Sequence, residues 1–184
     1  MPATRTFVAL ALPPAVKTAI ADLRLALPPA PGGLRWGGVD QAHLTLAFLG
    51  DLDDEDLAEV RRRSRVASVA TAPFDADLQG LGAFPHAGRA RVAWAGWGTG
   101  AAAVVALRST LVAALERPGD RHRFSPHVTL ARARDPLDLR AWLAAAPSWS
   151  SPSWRVDALD VMASELAPSG AIHTLVERCP LATR

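Results

Sequence analysis

The sequence predicts a fold that mixes α-helices and β-strands and is built from two similar halves. Two segments read almost alike, HLTL from His43 and HVTL from His127, and each alternates as a half-buried strand does. The order strand, helix and His-x-Thr strand also occurs twice, at an offset of roughly 85 residues, which suggests an internal duplication. At 184 residues the chain can form one sizeable core or two small lobes that share one. We therefore expect a single unit over residues 1–184.

Turn residues and helix signals divide the chain into elements. Two prolines at 13–14 suit the first turn of a helix, and the acids at 53–55 suit the positive N-terminal end of another. Apolar or alternating runs bounded by glycine and proline read as strands, which include a hairpin of 74–81 with 90–97 and a closing hairpin with its turn at 168–170. The predicted strands are residues 4–12, 43–50, 74–81, 90–97, one beginning at His127, 154–166 and 172–177. The predicted helices are residues 13–27, 53–70, 101–115 and 138–145.

The two His-x-Thr segments predict four polar side chains in one cleft. Successive side chains of a strand point to opposite faces, so the histidine and threonine of each segment share a face, while the intervening leucine or valine faces a core. The side chains expected in the cleft are those of His43, Thr45, His127 and Thr129. Strict alternation places Phe48 on the core side and predicts that it is buried.

Composition and charge are those of a globular protein that has a local basic region. Hydrophobic residues make up 49% of the chain and charged residues 21%, which excludes a disordered protein. The net charge is only +2, but acids cluster at 51–56 and arginines at 121–134. A basic patch that suits a phosphate-bearing substrate is therefore expected.

Cysteine usage and hydropathy favour the cytoplasm. Cys179 is the only cysteine, so the chain cannot form an internal disulfide or a multi-cysteine zinc site, and a reducing compartment is expected. The apolar run at 7–12 is too short to span a membrane and reads as the first strand. No membrane association is expected.

Two histidines in one cleft can serve as an acid and a base near neutral pH, because an unperturbed imidazole titrates near ~6.5. The threonine hydroxyls can donate hydrogen bonds to anionic oxygens, which indicates a phosphate bound between the strands. In-line displacement at phosphorus needs a base on the entering oxygen and an acid on the leaving oxygen, and two facing His-x-Thr strands supply both. The expected chemistry uses no cofactor and no metal.

The residues alone leave other interpretations open. A lone His-x-Thr strand is usually a solvated polar face, and a metal held by both histidines and a third ligand is a rival, although neither segment has a second ligand at short spacing. His86 and His122 lie in loop-like contexts and are expected at the surface. The arginines of 61–65 are expected on a solvated helix face, paired with acids at helical spacing.

Several sequence blocks, in order along nearly the whole chain, resemble the two-histidine phosphoesterases, and among them the RNA 2′,3′-cyclic phosphodiesterases of the LigT type, once called 2′-5′ RNA ligases. The blocks are RTFVALALP, HLTLAFLG, RVAWAGW, FSPHVTLAR and SELAPSGAIHTL. The resemblance implies a bilobal, pseudo-symmetric α+β fold in which two antiparallel sheets face each other across a central cleft with helices on their outer sides. It further implies metal-independent hydrolysis of RNA 2′,3′-cyclic phosphate ends to 2′-phosphate ends, with some reverse 2′-5′ joining.

The resemblance also implies roles for particular residues. His43 is interpreted as the general acid on the departing O3′ and His127 as the base that activates water, although near-symmetry hides the direction. Thr45 and Thr129 would hold the nonbridging oxygens. By similarity, Phe48 and Arg132 would flank the terminal nucleobase, which conflicts with the burial that strict alternation predicts for Phe48.

One position departs from the family pattern. Many relatives carry tyrosine in the last strand where this chain has His173, and the chain contains no tyrosine. His173 is interpreted as a structural substitute, with a third titrating group in the cleft as the alternative.

Two rival functions remain at this point. One is a phosphodiesterase that acts on small cyclic or 2′-5′ linked nucleotides with the same histidine pair, and the other is a non-catalytic binder of RNA ends. The expected partner is RNA with a 2′,3′-cyclic phosphate terminus, and a monomer is the expected state.

Overall fold

The strands of the computed structural model, which describes residues 3–116, 124–167 and 170–182, form two four-stranded sheets and one two-stranded ribbon. The orders are β10-β9-β1-β3 in the first sheet and β2-β7-β6-β5 in the second, with β4 and β8 in the ribbon. Neighbouring strands pair antiparallel throughout the described residues. The strands are β1 (Thr4–Ala11), β2 (Leu34–Trp36), β3 (His43–Leu52), β4 (Phe74–Ala76), β5 (Leu78–Phe84), β6 (Ala90–Trp97), β7 (His127–Leu137), β8 (Trp154–Val156), β9 (Ala158–Ala167) and β10 (Gly170–Pro180).

Four helices accompany the strands. They are α1 (Pro14–Ala26), α2 (Asp54–Val69), α3 (Ala101–Ala114) and α4 (Arg140–Ala144). The acids predicted at the start of α2 do serve as its N-terminal signal, because the Asp56 N–H donates to Asp53 Oδ1 at 2.8 Å and thereby satisfies one of the free donors of the first turn. Helix α2 packs against β9 and β10 of the first sheet and against α3.

Buried apolar side chains from both sheets and all four helices form one continuous cluster. Leu44 and Leu46 of β3, like Val128 and Leu130 of β7, lie in this cluster, as the alternation of the two His-x-Thr strands predicts. The strands that carry the motifs are therefore anchored through one face to the same core. Their opposite faces are left for the polar residues.

Both motif strands contain a β-bulge directly after the threonine. In β3 the pairing with β1 passes from Thr45 to Ala47, so Leu46 is the extra residue, and in β7 the pairing with β6 passes from Thr129 to Ala131. Each bulge frees one carbonyl oxygen from its ladder. Arg108 Nε donates to the Leu46 oxygen at 3.0 Å, and the backbone N–H of Gly37 donates to the Leu130 oxygen at 2.9 Å.

The predicted elements agree with the structure in kind, but two predicted strands are wrong as single elements. The predicted strand 154–166 divides at Asp157 into β8 of the ribbon and β9 of the first sheet, and the Asp157 backbone oxygen accepts from the Leu181 N–H at 2.7 Å. The predicted strand 74–81 is wrong as one element, because it divides at Asp77 into β4 and β5, which belong to different sheets. The Asp77 carboxylate accepts hydrogen bonds from the Thr99 backbone N–H and hydroxyl, which ties this break to the segment after β6. The predicted helix 138–145 is shorter, and the predicted turn at 168–170 falls mostly outside the described residues.

Candidate functional site

A cleft of about 780 Å³ runs between the two four-stranded sheets. Strands β3 and β7 contact each other beside it, so the two His-x-Thr motifs lie on facing walls. The four polar side chains predicted for the cleft all line it. The residues that line it are Arg5, Phe7, Arg35, Trp36, Gly37, Gly38, Gln41, Ala42, His43, Thr45, Phe48, His127, Thr129, Ala131, Arg132, Ser164, Ala171, Ile172 and His173.

Backbone and ring contacts fix the His43 imidazole. Its Nδ1 lies 2.7 Å from the carbonyl oxygen of Gln41. Because a carbonyl can only accept, Nδ1 must carry a proton and donate it. The other ring nitrogen, Nε2, lies 3.1 Å from Thr45 Oγ1, and the ring stacks on Phe7 at a centroid distance of 4.8 Å. The nitrogen available for chemistry is therefore Nε2.

His127 has the same arrangement on the opposite wall. Its Nδ1 donates to the carbonyl oxygen of Ser125 at 2.8 Å, again two residues before the histidine. Phe84 contacts the ring edge-on at 4.8 Å, and Trp94 lies 6.3 Å away between ring centroids. Both imidazoles thus keep the proton of their neutral form on Nδ1 and leave Nε2 unprotonated, and at His43 this nitrogen lies within hydrogen-bond distance of the Thr45 hydroxyl.

Burial lowers the pKa of both imidazoles, because desolvation disfavours the charged ring. The carbonyls that accept from Nδ1 oppose this effect by raising each pKa. The positive charge of Arg132 lowers both pKa values further, and His173 and Lys17 add to this at His43. The protein groups of the cleft therefore favour two neutral imidazoles, and an anion bound between them would shift either ring toward its charged form.

The two bulges determine which residues after each motif face the cleft. Phe48 is 67% exposed and lines the cleft, so the burial predicted from strict alternation is wrong. The extra residue at Leu46 reverses the alternation, and Phe48 joins the face of His43. The extra residue at Leu130 does the same for Arg132, which joins the face of His127. Each motif thus presents the residue five positions after its histidine.

His173 lies beside His43. Their ring centroids are 5.2 Å apart at an interplanar angle of 89°, and Phe7 lies 4.9 Å from the His173 ring. The backbone N–H of His173 donates to Gln41 Oε1 at 2.9 Å, which ties β10 to the segment before His43. Its side-chain Nδ1 is buried without a hydrogen-bond partner in the described structure, and burial lowers the pKa of this ring. In the sequence, this position was notable only because many relatives carry tyrosine where this chain has His173.

Other residues of the cleft belong to no sequence motif, and the sequence analysis did not predict them. Arg35 and Trp36 belong to the three-residue strand β2, which the sequence indicated only as a short extended piece, and Gln41 lies in the turn that follows. Of the arginines predicted as a basic patch at 121–134, Arg132 lines the cleft, whereas 121–123 lie outside the described residues. The sequence shows that these residues are positively charged, but only the fold shows whether each of them lines the cleft.

The described residues that were predicted to lie outside the site do not line the cleft. His86 is exposed, and His122 lies outside the described residues. Arg62 and Arg63 pair with Glu59, as the helical spacing predicts, while Arg61 and Arg65 pair with Glu177.

The described ranges contain neither a metal-binding cluster nor a membrane-spanning helix. No three His, Cys, Asp or Glu side chains in those ranges come together as a metal site would require. None of their helices combines the length and the apolar character that crossing a membrane requires.

Comparison with known proteins adds a family and several relatives. The model of the 2′-5′ RNA ligase superfamily matches residues 12–167. The RNA 2′,3′-cyclic phosphodiesterase of Thermus thermophilus is 32% identical to this chain, and the alignment covers 96% of this chain and 90% of that protein. The crystal structure of TT0787 of the same organism superposes with a TM-score of 0.78 at 31% identity and covers 96% and 97% of the two chains. The E. coli LigT structure in complex with 3′-AMP has a TM-score of 0.76 at 25% identity and covers 100% of both.

Proposed function

This chain belongs to the 2′-5′ RNA ligase superfamily of two-histidine phosphoesterases, and from this premise we propose that it hydrolyses RNA 2′,3′-cyclic phosphate ends to 2′-phosphate ends. One observation carries the proposal, namely that two imidazoles on facing strands direct Nε2 into one cleft while a backbone carbonyl holds each Nδ1. The name of the Thermus thermophilus relative and the 3′-AMP bound by E. coli LigT support the same substrate class.

The proposed reaction is an in-line displacement at phosphorus. His127 Nε2 accepts a proton from water, the water oxygen bonds to phosphorus, and the bond from phosphorus to O3′ breaks. His43 Nε2 donates a proton to O3′, which leaves a 3′-hydroxyl and a 2′-phosphate. The lowered pKa of His127 suits a base that must be neutral. The cations around His43 act against its protonation, so the phosphate charge has to offset them in the bound complex.

The remaining residues of the motifs bind the substrate in this proposal. The hydroxyls of Thr45 and Thr129 donate hydrogen bonds to the nonbridging phosphate oxygens, where negative charge grows in the transition state. Exposed Phe48 stacks on the terminal nucleobase, and the Arg132 guanidinium covers its other face. The matching positions of these two residues, one on each motif strand, support a base held between the two walls.

The proposed chemistry needs no metal, because the two imidazoles move both protons and arginine and threonine stabilise the charge. The proposal extends to 2′-5′ joining, in which the 5′-hydroxyl of a second RNA replaces water as the attacking group. Cys179 is buried as a free thiol, which suits the reducing cytoplasm that we propose as the location, and we expect a monomer.

A single incubation tests the proposal. A short RNA with a 2′,3′-cyclic phosphate end is incubated in EDTA with the wild type and the variants His43→Ala and His127→Ala, and the end that forms is identified. We expect the wild type to make a 2′-phosphate and each variant to lose most of the rate, since the two histidines act as a unit.

The exposed His86 provides the matched control, because His86→Ala removes an imidazole outside the cleft and should leave the rate unchanged. Loss of wild-type turnover in EDTA with rescue by a divalent ion would overturn the metal-free mechanism. A 3′-phosphate product would overturn the assignment of O3′ as the leaving oxygen.

A further inference from the structure

The residues that line the cleft carry a net positive charge. Three arginines and three histidines line it, and no aspartate or glutamate lies among the described residues of the lining. The whole chain is nearly balanced at a net charge of +2, so three arginines without an acidic residue in the described lining form a local excess of positive charge. A single cyclic phosphate carries one negative charge. The lining thus has more cations than one terminal phosphate needs.

Two of these arginines face each other on adjacent strands. Arg35 of β2 is directly opposite Arg132 of β7, and both line the cleft. Like charges at directly opposed positions of an antiparallel pair destabilise a sheet unless a counterion lies between them. Neither side chain has a hydrogen bond or an ion pair in the described part of the chain. Arginines on the outer surface are often paired, as Arg155 is with Asp75.

The register shows where these cations lie relative to the histidines. Along β1, Ala11 pairs with His43, Phe7 pairs with Phe48, and Arg5 pairs with Asp51. Arg5 is therefore further from His43 than Phe48 is. On the other wall Arg35 lies level with Arg132, five residues beyond His127. Arg5 thus lies past Phe48, and Arg35 lies level with Arg132, so both cations are further from the imidazoles than the two motif threonines are.

We propose that Arg35, with Arg5 further out, binds the phosphates that join the terminal nucleotide to the RNA chain on its 5′ side. The inference rests on the proposed function and narrows its substrate class to oligonucleotides with a cyclic phosphate end, as opposed to single nucleotides. A phosphate between Arg35 and Arg132 supplies the counterion that the opposed pair lacks. Positive grooves that follow a nucleic-acid backbone bind single strands in this manner.

The test compares two substrates that end in the same nucleotide. They are a nucleoside 2′,3′-cyclic monophosphate and a tetranucleotide with a 2′,3′-cyclic phosphate end. We expect the wild type to have the higher kcat/KM on the tetranucleotide. Arg35→Gln should lower that kcat/KM about tenfold and leave the value for the mononucleotide nearly unchanged, since one charge-assisted hydrogen bond is lost. The salt dependence of tetranucleotide binding should weaken by about 0.7 in log–log slope for each lost phosphate contact.

Arg89→Gln is the matched control, because Arg89 is exposed, carries the same charge and lies outside the cleft lining. Thermal melts establish that each variant is folded. Equal wild-type kcat/KM on the two substrates, or an equal loss on both in Arg35→Gln, would overturn the proposal. If neither cyclic phosphate is hydrolysed, the proposed function fails. In that case, fluorescence anisotropy titrations measure the binding of a tetranucleotide with a 2′-phosphate end. Weaker binding by Arg35→Gln than by the wild type would support the phosphate contact, and equal binding would contradict it.

Discussion

At the scale of residues, the chemistry of the site depends on two backbone carbonyls. The carbonyls of Gln41 and Ser125 each hold the Nδ1 proton of the histidine two positions later, so both rings present Nε2 to the cleft. The sequence predicted that the four motif residues lie in the cleft, because polar and apolar residues alternate in each motif and successive side chains of a strand point to opposite faces. It could not predict the orientation of the rings, since every residue has a carbonyl and only the folded backbone directs it.

His173 provides a prediction at this scale. The His173 charge lowers the pKa of His43, so His173→Phe should raise that pKa while a planar ring still packs against Phe7. With His43 as the acid, the enzyme must keep it protonated, and the descending limb of the profile of kcat/KM against pH should move to higher pH. The ascending limb, which His127 sets, should stay in place because His173 does not perturb its pKa.

His86→Phe is the control for this measurement, since it removes an exposed imidazole that does not line the cleft. A profile of unchanged shape in His173→Phe would leave His173 with a purely structural role. Movement of the ascending limb alone would instead exchange the roles of His43 and His127.

At the scale of elements, the two bulges determine what the motif strands can hold. Alternation predicted the faces correctly as far as Thr45 and Thr129 and failed directly after them at Phe48. A bulge is an extra residue relative to a partner strand, so it depends on the pairing and leaves no sign in the local pattern of residue types. The resemblance to a family predicted the position of Phe48 correctly, although alternation did not.

Glycine 96 on β6 provides a prediction at this scale. Gly96 pairs with His127, and a Cβ atom there would lie 2.6 Å from the backbone oxygen of Gln79 on β5. Gly96→Ala should therefore push β5 and β6 apart and lower the free energy of unfolding by about 1–3 kcal/mol, measured by urea denaturation. It should also lower kcat/KM, because the strand that supports His127 moves. Gly32→Ala, where a Cβ would meet no atom within 4 Å, is the control, and equal stability of the two variants would contradict this account.

At the scale of the whole molecule, the two halves are joined more closely than a simple duplication requires. The order β1, α1, β3 recurs as β6, α3, β7, which is the repeat that the sequence predicted. The sequence could not predict that β2 leaves its own half to pair with β7, or that β9 and β10 pair beside β1. Such pairings join residues far apart in sequence, and the local patterns of each strand do not specify its partner.

The buried imidazoles predict how the stability of the whole molecule depends on pH. His43, His127 and His173 all have a lowered pKa in the folded state, so the unfolded chain binds protons more readily as the pH falls below about 6.5. The free energy of unfolding should therefore be lower at pH 5.5 than at pH 7.5. Buried Asp160, whose pKa is raised, acts in the opposite direction.

Urea denaturation of the double variant His43→Gln/His127→Gln isolates the contribution of the two motif histidines. We expect its free energy of unfolding to fall less between pH 7.5 and 5.5 than that of the wild type, because two groups with lowered pKa are absent while Asp160 remains. An equal fall in both proteins would contradict the assignment of buried, neutral imidazoles.

The position of β2 limits how far the cleft can open. Strand β2 forms the edge of the sheet that carries His127, and residues 37–42 alone connect it to β3, which carries His43. Any large separation of the two walls would have to stretch this short connection or break the pairing of β2 with β7, including the bond from the Gly37 N–H to the Leu130 oxygen. This connection therefore sets an upper limit on the separation of the two imidazoles, and we expect the proposed RNA end to enter along the open length of the cleft.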